Sequence, residues 1–98
     1  MNQVNRDDLQ ELHASVIGSV QGVGFRDYII RKAHSLGLRG YVRNERHGDV
    51  EVVAQGPRPA LENFLVFLRQ GPPAARVSEV KTTWKQPTEH FSGFHVRW

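Results

Sequence analysis

Residues 12–20 read Leu-His-Ala-Ser-Val-Ile-Gly-Ser-Val, small and β-branched side chains that suit a strand near the middle of a sheet, buried on both faces. Beyond the turn that follows, Phe25, Ile29, Ala33 and Leu36 recur at spacings of four, four and three, which is one face of a helix, and Gly37 ends it. Residues 38–44 and 50–55 are two β-prone runs separated by the polar stretch Glu45-Arg46-His47-Gly48-Asp49, the pattern of an antiparallel hairpin. Pro57 and Pro59 open a second helix, in which Leu61, Phe64, Leu65 and Leu68 follow the i, i+3, i+4, i+7 rule until Gly71-Pro72-Pro73 stops it. Residues 77–85 form another strand, and the alternation of Phe94, Val96 and Trp98 against His95 and Arg97 predicts a last short one.

The order strand, helix, strand, strand, helix, strand (βαββαβ) defines an α+β chain of the ferredoxin-like, split βαβ type: an antiparallel sheet with two helices on one face. Residues 1–10 carry charge without periodicity and are expected to form a flexible N-terminal extension, leaving residues 11–98 as one domain. The fold by itself leaves function open.

Composition narrows the choices. A chain of 98 residues, 39% hydrophobic and 23% charged, supports one core and no second. No apolar run approaches the ~18 residues a membrane span needs, and the first ten residues are too polar for a signal peptide, so a cytoplasmic protein without a membrane partner is expected. The absence of cysteine excludes disulfides, a thiol nucleophile and thiolate metal sites. The five histidines, His13, His34, His47, His90 and His95, show no His-x-His or His-x-x-x-His spacing, so no metal is expected. Neither a Gly-Lys-Ser/Thr phosphate loop nor a dinucleotide fingerprint is present, and no cofactor is expected. The net charge of +3 comes with ten arginines to three lysines, which favours an anionic partner. Most of those arginines are scattered and read as solvated surface charge.

Arg26 stands apart. The turn Gln21-Gly22-Val23-Gly24-Phe25-Arg26 joins the first strand to the first helix, where two glycines let backbone N–H groups converge on one point and the helix adds its uncapped amides. A cation in the first turn opposes the helix dipole at a cost of ~0.3–1 kcal/mol unless an anion also sits there. Taken alone, the turn also fits a plain tight connection, and Asn44 also fits an ordinary strand-end asparagine.

The stretch Val16-Ile17-Gly18-Ser19-Val20-Gln21-Gly22-Val23-Gly24-Phe25-Arg26, with its VQGVGFR core, resembles the acylphosphatase signature. Gly40-Tyr41-Val42-Arg43-Asn44 followed by Gly48-Asp49-Val50-Glu51-Val52-Val53-Ala54-Gln55-Gly56 resembles the family's second motif, and the likeness runs on through residues 71–77 and 93–97. The resemblance implies an enzyme that hydrolyses the carboxyl–phosphate bond of a small acyl phosphate, releasing a carboxylate and inorganic phosphate; a monomer is expected. It implies that Arg26 and the backbone amides of Gln21, Gly22, Val23, Gly24, Phe25 and Arg26 hold the phosphate, while Asn44 positions the attacking water. Gly18 matches a family glycine and is expected to let a neighbouring backbone approach.

A carboxylate leaving group needs little general-acid help, and neither motif core contains a carboxylate or histidine to act as base. Asp27, just after the first motif, and Asp49, in the second, read as a helix-dipole partner and a turn residue. Two other functions fit the fold: a non-catalytic module that binds carbamoyl or acyl phosphate, and an RNA-binding domain that stacks bases on Tyr41, Trp84 and Trp98. Those rings do not form an RNP-type cluster, so no nucleic-acid partner is expected.

Overall fold

The computed structural model describes residues Leu9–Trp98. Its elements are β1 (Leu9–Ser19), α1 (Phe25–Ser35), β2 (Arg39–Asn44), β3 (Val50–Pro57), α2 (Arg58–Gln70), β4 (Arg76–Lys85) and β5 (Phe94–Val96). β1 starts at Leu9, so residues 9 and 10, expected in the extension, are strand; residues 1–8 of that expectation lie outside the described residues.

The strands form one sheet in the order β4-β1-β3-β2-β5. Alternation along each strand sends one set of side chains to the helices and the other to the opposite face. Leu12, Ala14 and Val16 of β1 lie opposite Ala54, Val52 and Val50 of β3, and Val42 of β2 continues the row from Val52. These side chains share one buried cluster with Phe25, Ile29 and Ala33 of α1 and Leu61, Phe64, Leu65 and Leu68 of α2, which puts both helices on the same face. Each large side chain of that cluster contributes roughly 1.5–3 kcal/mol by leaving water. β1 is therefore not apolar on both faces: its opposite set carries Glu11, His13 and Ser15 between Leu9 and Ile17.

Gly18 explains how β1 bends toward its turn. It has φ 141° beside a break in the β1–β4 register between Ile17 and Gly18, and a Cβ there would lie 2.1 Å from the carbonyl oxygen of Arg76. The expected close backbone approach is thus the contact with β4.

The sheet is mixed rather than antiparallel, because β5 pairs with β2 in parallel, Gly40 opposite Phe94 and Val42 opposite Val96. The reason is the route of the chain. β4 is antiparallel to β1 and ends with Lys85 beside Glu11, at the end of the sheet where β2 begins. The chain crosses that end and then turns back along the sheet, so β5 starts beside the beginning of β2 and runs in the same direction.

A buried carboxylate pins the crossing. Glu11, fully buried, accepts hydrogen bonds from Gln55 Nε2 (2.8 Å), Thr88 N (3.2 Å) and Thr88 Oγ1 (3.0 Å), and pairs with His13. Gln55 Nε2 also donates to Glu89 O at 2.7 Å. Burial pushes the Glu11 pKa up, but the hydrogen bonds from Gln55, His13 and Thr88 outweigh it and hold the group below its ordinary 4.5. A lowered folded-state pKa means the stabilisation is complete above the unfolded value and is lost as pH falls through the folded one. Replacing Glu11 by Gln turns an amide N–H₂ toward donors and is expected to cost about 1–3 kcal/mol at neutral pH. Denaturant titrations across pH should show the gap between wild type and Glu11→Gln narrowing below pH 4.5; a constant gap would mean that Glu11 is not held as a carboxylate.

Candidate active site

β1 and β2 run the same way with β3 between them, so the turn after β1 and the last residue of β2 meet at one end of the sheet, opposite the Glu11 crossing. Asn44 and Val42 occupy the same face by alternation, which places the Asn44 side chain on the helix side, next to the start of α1.

The turn is built from two left-handed glycines, Gly22 at φ 75° and Gly24 at φ 76°, with Gly24 as the N-cap of α1. No side chain caps that helix; its first backbone bond runs from Tyr28 N to Gly24 O at 3.0 Å. The earlier amides of the turn are left for an outside acceptor. Phe25, buried in the core cluster, anchors the helix start and so aims Arg26 outward. Val20, Gly22, Gly24, Phe25, Arg26, Asp27 and Asn44 enclose one cavity of about 170 Å³. The two motifs, eighteen residues apart between Arg26 and Asn44, therefore share a single small pocket.

Two features of the pocket are chemically unfinished. Asn44 Oδ1 is buried and has no hydrogen-bond partner among the described residues, an arrangement that costs ~1–3 kcal/mol unless something donates to it. Arg26 has no carboxylate partner among the described residues; its guanidinium rests on the ring of Trp98, 4.9 Å from the centroid. Trp98 is 92% exposed and Arg26 half-buried, so the pair sits at the surface. Arg43, adjacent to Asn44 in sequence, is not a second cation of the site. It turns to the other face, bonds Glu51 at 2.7 Å and Glu45 at 3.4 Å, and its pKa is raised chiefly by Glu51.

The remaining predicted residues fall on both sides of the line. Asp27 borders the cavity, but its exposed carboxylate pairs with Arg31 at 3.2 Å along the helix. Asp49 belongs to the β2–β3 connection, where its carboxylate meets His47 at 2.9 Å. Gln21 opens the turn, and its side chain does something the sequence does not reveal: Nε2 donates to Glu45 O (2.7 Å) and Asp49 O (2.9 Å), across from the turn. Trp98 was visible in sequence as a possible stacking ring and as the end of the last strand, which stops at Val96. The three aromatics considered for base stacking do not share a face: Tyr41 packs against Phe91 and lies under Arg97, Trp84 pairs across from Leu12 of the helix face and lies under Arg58, and Trp98 lies beyond β5 against Arg26. Among the described residues no helix is long and apolar enough to cross a membrane.

A split βαβ sandwich with an uncapped helix start, a lone arginine and an unpartnered asparagine in one pocket has the chemistry to receive a small tetrahedral anion. Comparison with known proteins narrows that class. The acylphosphatase family model matches residues 12–96. The chain is 50% identical over 88 residues to an acylphosphatase of Thermus thermophilus, spanning 90% of this chain and 99% of that one. Its fold superposes on the crystal structure of acylphosphatase from Bacillus subtilis with TM-score 0.88 at 32% identity, covering 91% of this chain and 99% of that chain. An acylphosphatase from Coxiella burnetii gives TM-score 0.84 at 42% identity, covering 93% and 95%. The chain belongs to the acylphosphatase family. It is accordingly a hydrolase of acyl phosphates, cleaving the carboxyl–phosphate bond to a carboxylate and inorganic phosphate.

The left-handed turn should be sensitive to a Cβ even though space is open around it. Gly24→Ala is expected to lower the unfolding free energy by about 1–2 kcal/mol, and Gly24→Asn by less. Chemical denaturation of the two variants checks this, and equal stability of Gly24→Ala and wild type would contradict the φ of the turn.

Proposed function

We propose that Arg26 and the backbone amides of residues 21–26 bind the phosphoryl group, and that Asn44 orients the water that attacks it. The observation that carries this reading is the shared cavity of about 170 Å³, into which the turn, Arg26 and the unpartnered Asn44 all contribute. A cavity this small takes the phosphoryl end of the substrate and leaves the acyl group outside.

The chemistry asks little more of the protein. The leaving group is a carboxylate, stable at neutral pH, so no general acid is required. Phosphoryl transfer passes through a loose transition state with charge spread over the equatorial oxygens, which a guanidinium fork and a ring of N–H groups stabilise without moving. The carboxamide of Asn44 accepts a hydrogen bond from the water through Oδ1 and fixes its lone pair toward phosphorus. Phosphorus–oxygen bond formation to water and cleavage to the carboxylate are matched by transfer of the water proton to a phosphoryl oxygen. Asp27 and Asp49, paired with Arg31 and His47, are not needed as bases. The same proposal includes turnover without a metal ion, and a monomer working in the cytoplasm.

Hydrolysis of an aromatic acyl phosphate at neutral pH, with chelator present, tests the assignment. Arg26→Ala is expected to lower kcat/KM by about 10³-fold and to weaken inhibition by inorganic phosphate. Asn44→Ala is expected to lower kcat by at least about 100-fold while phosphate inhibition stays nearly unchanged. A variant as active as wild type would remove its residue from the mechanism. Phosphate binding without hydrolysis above the spontaneous rate would instead favour a carbamoyl- or acyl-phosphate binding module.

A further inference from the structure

The phosphate turn and Asn44 come from strands that do not touch, since β3 separates β1 from β2. In-line attack nevertheless requires the water held by Asn44 to sit at a set distance from a phosphorus held by the turn. Displacement by ~1 Å is enough to cost on the order of 10²-fold in rate. Something must fix one half of the site against the other, above the end of β3.

The Gln21 side chain is the link. Its Nε2 donates to Glu45 O at 2.7 Å and to Asp49 O at 2.9 Å, reaching 24 and 28 residues along the chain. Those carbonyls sit at the mouth of the β2–β3 connection, which is closed by Glu45 N to Asp49 O (2.8 Å) and Gly48 N to Glu45 O (3.2 Å). Glu45 directly follows Asn44. Among the described residues no other hydrogen bond or ion pair joins residues 20–26 to residues 44–49. A primary amide has two N–H protons, and here both are committed to the hairpin, so the side-chain nitrogen has none left for a phosphate. The backbone N–H of Gln21 belongs to the cradle; its side chain has a separate task.

We propose that the Gln21 carboxamide is a positioning residue that sets the distance between the phosphate cradle and Asn44, and that it acts on turnover through Asn44. The inference rests on the roles of Arg26 and Asn44 proposed above. It differs from a simple clamp on the fold, because a clamp would affect phosphate binding and stability and would do so whether or not Asn44 is present.

The test is a double-mutant cycle on the full chain, with an aromatic acyl phosphate as substrate and inorganic phosphate as competitive inhibitor. Gln21→Met keeps the length of the side chain and removes the donors. It is expected to lower kcat by about 10–100-fold, with the inhibition constant of phosphate within about threefold of wild type. In the Asn44→Ala background the same substitution is expected to change the residual rate by less than about twofold, since the group it positions is gone. Gln21→Glu supplies a second reading should the methionine variant fold poorly: as a carboxylate it faces two carbonyl oxygens, and on protonation it regains one donor. Its rate relative to wild type should therefore rise as pH is lowered toward the carboxyl range, by about threefold or more. Equal losses from Gln21→Met with and without Asn44, a phosphate constant that loosens in step with kcat, or a flat pH ratio for Gln21→Glu would overturn the inference while leaving Asn44 in place. Full activity of Asn44→Ala would overturn the underlying assignment, and this inference with it.

Discussion

Burial of one sheet face beneath α1 and α2 constrains everything at the end of the sheet where the turn after β1 meets Asn44. Because the helices must cover Leu12, Ala14, Val16, Val42 and Val52, the alternation of β2 is fixed, and Asn44 faces the start of α1 rather than the open side. The same constraint draws Phe25 into the core and so sets the first turn of α1 with its amides pointing out of the sandwich. A slip of one residue in β2 would exchange Asn44 for Arg43, removing the carboxamide from the pocket and burying a guanidinium now held by Glu51 and Glu45.

Much of this was legible from the chain alone. The periodicities of α1 and α2 and the hairpin polarity between residues 44 and 50 reflect local or nearest-neighbour physics, and they put Arg26 in the first turn of α1 and Asn44 at the end of β2, where the structure has them. What escaped is long-range. The parallel pairing of β5 depends on where β4 ends, which three residues of alternating pattern do not encode. Nothing in the sequence marks Glu11, because two of its hydrogen bonds come from Thr88, far along the chain. The side chain of Gln21 lies inside the signature, where attention falls on backbone amides; only the folded position of Glu45 and Asp49 gives its nitrogen a purpose.

The site's polarity follows from what it lacks. Carboxylates are present nearby, yet Asp27, Glu45, Glu51 and Asp49 are each held by a basic side chain: Arg31, Arg43 and His47. Arg26 is thereby kept from internal neutralisation and rests on an aromatic face, which attracts a cation without competing for its N–H donors. A preorganised donor set of this kind does not have to break an ion pair before it meets an anion.

The crossing between β4 and β5 has an effect at the other end of the molecule. By anchoring residues 88 and 89 to Glu11 and Gln55 and then sending β5 up beside β2, it works as a ruler whose far mark is Trp98 on Arg26. The ring over Arg26 is thus positioned through the register of β5 on β2, by a segment that supplies no side chain to the pocket itself.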